Sequence, residues 1–419
     1  MSSLATPRVA EENRSLVPTT QLSGRMLYHV GGTGNGERVD ISDLFVDKIH
    51  GYGMEVDYVI FSRDQGSAWQ KTTWRNRKAY VVGTSGFTGM LGSVVNKLKI
   101  MWADLRTLTL ALGPDYDIIQ VRDRHFITPL LLLASLLTGK KFTVWSSYPY
   151  AEARMLDAKE GRARVPWLSY LHGKMGTLLL YRFVMPRADR VFVQSEQMAQ
   201  DLRAFGVPRY KMTPIPMGVN KSLLDLHAYQ QRPKTIAYLG TLIRVRRLDF
   251  LIDVLHEVKK SDPEARLLLI GDGEHPEDRK AIEQRITELG LYDSVTITGL
   301  LDMQEAQLLT ASAALCVSPF YCTPILQSTS PTKMNEYMAL GKPVVANSHP
   351  EQSAMIKASG AGFCVEWDKT AFADAIVTLL QDPELARNMG RRGKQYVREH
   401  RTYEQIAARL APVYAELLR

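Results

Sequence analysis

The stretch "SPTKMNEYMALGKPVVA", residues 330 to 346, holds a helix start, a helix stop and a strand start. Ser330 suits a cap and Pro331 the first helical position; Gly341 and Pro343 stop the helix before Val344 and Val345 open a strand. The start of this helix has unpaired amides and about half a positive charge, which makes it a ready phosphate site. Lys333 stands in its first turn, where the helix dipole favours an acid. An anion between the lysine and the helix end removes that conflict; a solvated lysine is the plainer account. Glu336, one turn on, either faces water or accepts bonds from the hydroxyls of a ribose carried by that phosphate.

Upstream, the same half alternates strand and helix. Strands are expected at Ile236 to Leu239, Arg266 to Ile270, Val295 to Thr298, Ala314 to Val317 and Val344 to Ala346. Apolar residues recur at helical spacing over Leu248 to Val258 and Asp278 to Leu289. In "YLGTLIRVRRLDFLI" the first strand runs through Gly240 and Thr241 into Arg244, Arg246 and Arg247. Arginines grouped at the carboxyl edge of a parallel strand point to an anion. Gly271-Asp272-Gly273 and Gly299 also follow strands, where ordinary turns and ligand contacts read alike.

The first half has the same rhythm. "RMLYHVGGTGNG" is a strand (Met26 to Val30) entering a glycine turn whose spacing is not the dinucleotide fingerprint. A flexible turn and a close approach of backbone at Gly32 to a phosphate or sugar are both compatible with it. Further strands are expected at Val56 to Phe61, Ala79 to Val82, Ile118 to Val121, Phe142 to Trp145 and Arg190 to Val193. Strands separated by helices signal doubly wound parallel sheets, and two such units facing across a cleft bind ligands at strand carboxyl ends. The resulting division is a flexible leader (1–24), a first domain (25–220), a second domain (221–400) and a terminal amphipathic helix (401–419).

With 419 residues, 45% apolar and 23% charged, the chain has the make-up of a globular protein of two domains. Cys316, Cys322 and Cys364 lack metal-ligand spacing and disulfide density, so a reducing, cytoplasmic setting is expected. The first twenty residues are polar, without the apolar core of a signal peptide. "ITPLLLLASLL" (Ile127 to Leu137) is too short to cross a bilayer and is expected as a buried helix. Residues 1 to 220 hold 28 Lys and Arg against 19 Asp and Glu; residues 221 to 419 hold 24 against 25. Such asymmetry concerns partners, since long-range fields steer anionic surfaces and ligands. No zinc, homeodomain or RNA-motif pattern supports nucleic acid. An anionic membrane surface fits, with "NKLKIMWADLR" (Asn96 to Arg106) and "HGKMGTLLLYRFVMPR" (His172 to Arg187) mixing bases and apolar residues.

The segments "IAYLGTLIRVRRLDFLI", "ARLLLIGDGE", "VTITGLL", "SPTKMNEYMALGKPVVA" and "GAGFCVEWDKTAFADAI" resemble the retaining glycosyltransferases of family 4 (glycosyltransferase group 1). "RADRVFVQSEQMAQDLRAFGVPRYKMTPIPMGVN" carries the looser likeness of the first half. The resemblance implies the GT-B architecture, two Rossmann-like domains with a nucleotide-diphosphate sugar in the cleft. It implies Arg246 at the diphosphate and Glu336 at the ribose; Lys333, read from its place at the helix start, joins Arg246 as the second catalytic candidate. Gly32, Gly240, Thr241, Arg244, Gly299, Ser330 and Thr332 are the further donor-side candidates. It implies no metal and no cofactor beyond the nucleotide sugar as co-substrate. A lipid-linked sugar or glycan is the expected acceptor, in polysaccharide or glycolipid synthesis, and the charge asymmetry points to a peripheral place at the inner face of a membrane.

Three positions depart from that pattern. Ser328 replaces the first of a pair of glutamates eight apart. Thr241 replaces an arginine. "FTVWSSYPY" offers Ser146 and Ser147 in place of a histidine. Two other readings remain: a nucleotide-sugar epimerase, which needs acid–base side chains in the cleft, and an inactive nucleotide-sugar-binding partner subunit. Asp115-Tyr116-Asp117 is the only Asp-x-Asp, and a connecting turn accounts for it.

Overall fold

Runs such as "MLYHV" and "RLLLI" are apolar on both strand faces, so they need cover on both sides and become inner strands of parallel sheets. The structure, a computed structural model, describes residues 20–30, 39–87, 89–228, 230–323 and 325–419. Gly31, Gly32, Gly34 and Gly36 of the first glycine turn, and most of the leader, lie outside them.

The first sheet contains β1 (Gly24–Val30), β2 (Met54–Gln65), β3 (Gln70–Trp74), β4 (Arg77–Thr84), β5 (Ile118–Arg122), β6 (Lys141–Ser146), β7 (Arg190–Val193) and β8 (Met212–Pro214). Their order is β3-β4-β2-β1-β5-β6-β7-β8, parallel except for β3. The second contains β9 (Arg232–Leu239), β10 (Arg266–Ile270), β11 (Val295–Ile297), β12 (Ala313–Ser318), β13 (Val344–Asn347) and β14 (Gly362–Val365). Its order, β11-β10-β9-β12-β13-β14, reverses direction between β9 and β12. That reversal opens the crevice in which such sheets bind ligands.

The sequence missed β3, β8 and β14. β3 is a polar antiparallel edge strand, joined to β4 through Arg75 (φ 46°) and Asn76 (φ 61°). Two successive positive φ values make a tight hairpin turn without the usual glycine signal.

The helix at Thr128–Thr138 corrects the expectation of full burial. Leu131, Leu132 and Ala134 enter the core, while Leu130, Leu133, Leu136 and Leu137 are exposed. It lies in the outer layer over the sheet, and no described element covers its far side.

The last helix, Tyr403–Leu417, buries Tyr403, Ile406, Leu410, Tyr414 and Leu417 along one stripe. These join Met26, Tyr28, Phe45, Trp145 and Phe192 in one core, so the chain end closes the first sheet. Tyr414 donates its hydroxyl proton to Gln120 Oε1 on β5. The chain crosses between the sheets twice, and the crossings touch: Val219 N–H donates to Arg401 O (2.9 Å) and Tyr403 N–H to Val219 O (3.0 Å).

Candidate functional site

The stretch that opened the sequence forms a helix at Thr332–Ala339, one residue later than expected. Pro331 takes the cap position with extended backbone, and no side chain caps the helix. Ser330 does not cap it because its hydroxyl accepts the Met217 N–H (3.1 Å) from the interdomain crossing. The open amides of this helix therefore remain available, beside a cavity of about 470 Å³. Gly341 (φ 70°) ends the helix as its sequence implied.

The cavity lies between the domains. Ser147, Tyr148, Tyr150 and Gln194 line it from the first; Tyr238, Arg246, Phe320, Ser330, Thr332 and Lys333 do so from the second. Gly240, just after β9 at the sheet's reversal, has φ 142°. A Cβ there would lie 2.2 Å from Lys333 Cε, 2.6 Å from its Nζ and 3.2 Å from an Arg246 guanidinium nitrogen. Only glycine leaves room for both cations at that point. Arg246 donates to Tyr238 Oη (3.1 Å) and to Thr241 O (3.2 Å). Lys333 Nζ stands 5.7 Å from the Tyr238 ring centre.

Two cations converge here without a carboxylate hydrogen-bonded to either among the described residues. Burial and the Arg246 guanidinium hold the Lys333 ammonium well below the usual lysine range, against a smaller pull from Glu336. Glu336 lies behind the lysine and does not line the cavity. Burial raises its carboxyl above the usual range, opposed by Lys333. An entering anion would relieve the crowding of positive charge and favour the protonated lysine.

The other candidates fall at different places. Thr241 contributes its carbonyl to Arg246. Arg244 is exposed, outside the cavity lining, and its N–H donates to Asp278 Oδ1 (3.0 Å). Gly299 (φ 72°) pairs with Gly271 in an isolated antiparallel bridge and is also outside the lining. Gly32 lies outside the described residues. Asp117 accepts the Arg25 N–H (2.8 Å) and Tyr116 donates to Asp57 (2.6 Å), which accounts structurally for the Asp-x-Asp turn. Among the described residues no cluster of His, Cys, Asp and Glu suits a metal ion.

Sequence reasoning missed two arrangements. Arg122, 1% exposed at the end of β5, donates to Asp40 Oδ2 (3.1 Å) and Ser147 Oγ (2.8 Å). Asp123 Oδ1 accepts the Ser147 N–H (2.9 Å), so a buried charge network fixes the first-domain lip of the cavity. The charged run "VRDRH" at the end of an apolar strand was the available signal. Ser328 donates to Asp201 Oδ2 (2.6 Å) on the Glu196–Ala204 helix, and its carbonyl accepts the Ser195 hydroxyl (2.6 Å). A second cavity of about 310 Å³ adjoins them, lined also by Ser146, Glu152, Tyr181 and Gln327.

Residues 233–382 match the family model described as "Glycosyl transferases group 1", and residues 50–218 that of a "Glycosyl transferase 4-like domain". N-acetyl-alpha-D-glucosaminyl L-malate synthase of Bacillus anthracis is 24% identical over 289 residues, 65% of this chain and 73% of the relative. A GDP-mannose-dependent alpha-(1-6)-phosphatidylinositol monomannoside mannosyltransferase of Mycobacterium tuberculosis is 24% identical over 52% of this chain and 60% of its own length. In three dimensions, Anabaena HepE in complex with UDP superposes with a TM-score of 0.67 at 16% identity, covering 94% of this chain and 99% of that one. Two parallel-dominated sheets, two matched domains and that superposition agree: the chain has the GT-B fold and is built from a glycosyltransferase 4-like domain followed by a group 1 glycosyltransferase domain.

Proposed function

We propose that the protein transfers a hexosyl or related sugar from a nucleotide-diphosphate donor to a lipid-linked or glycan acceptor, with retention at the anomeric carbon. The carrying observation is the convergence of Lys333 and Arg246 over Gly240, beside an uncapped helix start. That arrangement suits a diphosphate, and UDP in HepE gives a precedent within the fold. Ser330 and Thr332, which line the cavity, are assigned to the phosphate side; Glu336, one turn on and outside the present lining, is assigned to the ribose.

In this reading the donor bond from anomeric carbon to diphosphate oxygen breaks as the acceptor oxygen attacks from the same face. Lys333, Arg246 and the helix amides stabilise the charge on the departing diphosphate. The leaving phosphate oxygen takes the acceptor proton, so no side-chain base is required. These cationic groups serve where a divalent ion would otherwise act, and the reaction is proposed to be metal-independent. Ser147, held by Arg122 and Asp123, positions the first-domain lip of the cavity for the acceptor side.

An epimerase needs acid–base side chains against the sugar. Among the described residues lining the cavity beside Lys333 and Arg246, none is a carboxylate or an imidazole. The excess of base over acid in residues 1 to 220 supports a peripheral place at the inner, cytoplasmic face of a membrane, in polysaccharide or glycolipid synthesis. Thermal-shift screening with UDP, GDP and their sugar conjugates identifies the donor. Product analysis with the labelled donor then separates transfer from isomerisation; no binding of any nucleotide sugar would end the proposal.

A further inference from the structure

Three neighbouring helical segments of the first domain leave apolar side chains in the open. The Gly89–Leu112 helix turns Ala103 and Ala111 inward and exposes Leu91, Leu98 and Trp102. The Thr128–Thr138 helix buries Leu131 and exposes Leu133 and Leu137, the latter at 72%. The Pro166–Gly176 helix and its π-helical continuation Thr177–Val184 bury Leu180 and expose Trp167 (70%) and Leu178. The first packs on the second and the second on the continuation. Ala103, Leu131 and Leu180 belong to one core, so the three segments cover the same side of the sheet and turn their exposed residues outward from it. Scattered exposed leucines are ordinary, but exposed apolar side chains gathered on neighbouring segments mark an interaction site.

Its charge is equally one-sided. Lys97, Arg106, Lys174 and Arg182 are exposed on these segments, with no carboxylate partner among the described residues. The only acid the segments contain, Asp104, is held by Arg124 (2.7 Å) and His29 (3.1 Å). The Arg106 guanidinium stands over the Trp102 ring at 5.3 Å, a cation beside an interfacial aromatic. Helices that follow parallel strands run back along them, so the Leu91 and Thr128 ends lie at the carboxyl edge of the sheet, where the cavity opens.

We infer that this face docks on an anionic lipid bilayer, with Trp102, Trp167 and the outer leucines in the interfacial layer and the basic residues among the headgroups. A symmetric contact with a second copy would set the same unpaired cations against each other, whereas an anionic leaflet complements them. Among the described residues no helix is long and apolar enough to cross a membrane, so the face lies on the bilayer. The inference deepens the proposed lipid-side acceptor, because it would hold the cavity mouth near the headgroups.

The full chain, without donor, is floated with phosphatidylglycerol or phosphatidylcholine vesicles at low and high salt. Tryptophan quenching is read with brominated forms of the same lipids. The expected result is binding to the anionic vesicles that weakens with salt, and quenching carried by Trp102 and Trp167 that disappears in the W102F/W167F variant. Lys97→Glu with Lys174→Glu should lower partitioning by about tenfold or more. Leu137→Ser with Trp167→Ser should also lower it, with thermal unfolding and nucleotide binding unchanged. Equal partitioning on both lipids with no salt effect would overturn the inference. So would quenching indifferent to W102F/W167F, or a dimer in sedimentation velocity that the leucine and tryptophan variants dissolve. No step needs turnover: absent glycosyl transfer with intact vesicle binding counts against the transferase reading alone, and the converse against the docking alone.

Discussion

Ser328 of the second domain donates a hydrogen bond to Asp201 of the first at 2.6 Å, across a separation of 127 residues in the chain. Where the family resemblance implies a glutamate, this chain has a hydroxyl that meets a carboxylate from the opposite side of the cleft. Ser328→Ala should cost about 1 kcal/mol, the net value of an ordinary hydrogen bond. Ser328→Glu should be worse, because two carboxylates would then share the site; Asp201→Asn should restore much of that loss. Thermal unfolding of the single and double variants measures the coupling. Additive effects would mean that the two residues act separately.

The convergence over Gly240 gives the sharpest ligand-binding expectation. Gly240→Ala should displace Lys333 and Arg246, since its Cβ would lie 2.2 Å from Lys333 Cε. Arg246→Ala and Lys333→Ala should each weaken nucleotide binding by about 1.5–3 kcal/mol, the range for charge-assisted hydrogen bonds. Glu336→Ala should weaken a nucleotide sugar more than pyrophosphate, because only the former has a ribose. Calorimetric titration of each variant with both ligands checks this; equal losses on Glu336→Ala would remove the ribose assignment.

The same lysine sets a pH dependence. In the free protein its pKa is pushed down to about 7, by burial first and Arg246 second. A bound diphosphate favours the charged form and raises that value, so binding above about pH 7 takes up a proton. Affinity should be flat below this value and fall by up to about tenfold per pH unit above it, until the bound form also titrates. Titrations in buffers of different ionisation enthalpy count the protons directly. An affinity independent of pH between about 7 and about 9, inside the span from the free value to the ordinary lysine value of about 10.4, would mean that Lys333 does not meet the anion.

If Arg246, Lys333 and the helix amides carry the diphosphate charge, chelation with EDTA should leave turnover nearly intact. Loss of activity that magnesium or manganese restores would assign that task to a metal ion.

The closing helix should matter to stability. Leu410 is 2% exposed in the core that β1 shares with the Tyr403–Leu417 helix. Leu410→Ala should cost about 2–5 kcal/mol, through lost burial and the cavity left behind. Denaturant unfolding followed by far-ultraviolet circular dichroism measures it.

Much of the fold was legible because local rules and tertiary structure agreed. β7 and β10 lie where their β-branched and leucine runs placed them, and Gly341 ends its helix. Arg246, just past β9, and Lys333, in the first turn of the Thr332–Ala339 helix, both line the cavity. What failed was information that belongs to pairs of distant residues. Composition makes Ile127 to Leu137 apolar all round, but only the missing cover on one side decides that half of it is exposed. Nothing near Ser328 indicates Asp201, and nothing near Ser147 indicates Arg122. Ser330 has the right chemistry for a cap, yet the Met217 amide competes for the same oxygen.

The adjacent crossings at Val219 and Arg401 have a consequence for how the molecule is made. Everything from β9 to β14 lies between them, whereas the core of the first sheet takes residues from both β1 and the Tyr403–Leu417 helix. During synthesis the inner unit can complete itself while the outer one still lacks its last layer. Tyr28, Phe45, Trp145 and Phe192 therefore lack the cover of the Tyr403–Leu417 helix until that helix has been made, and apolar surface left open in this way is prone to aggregation.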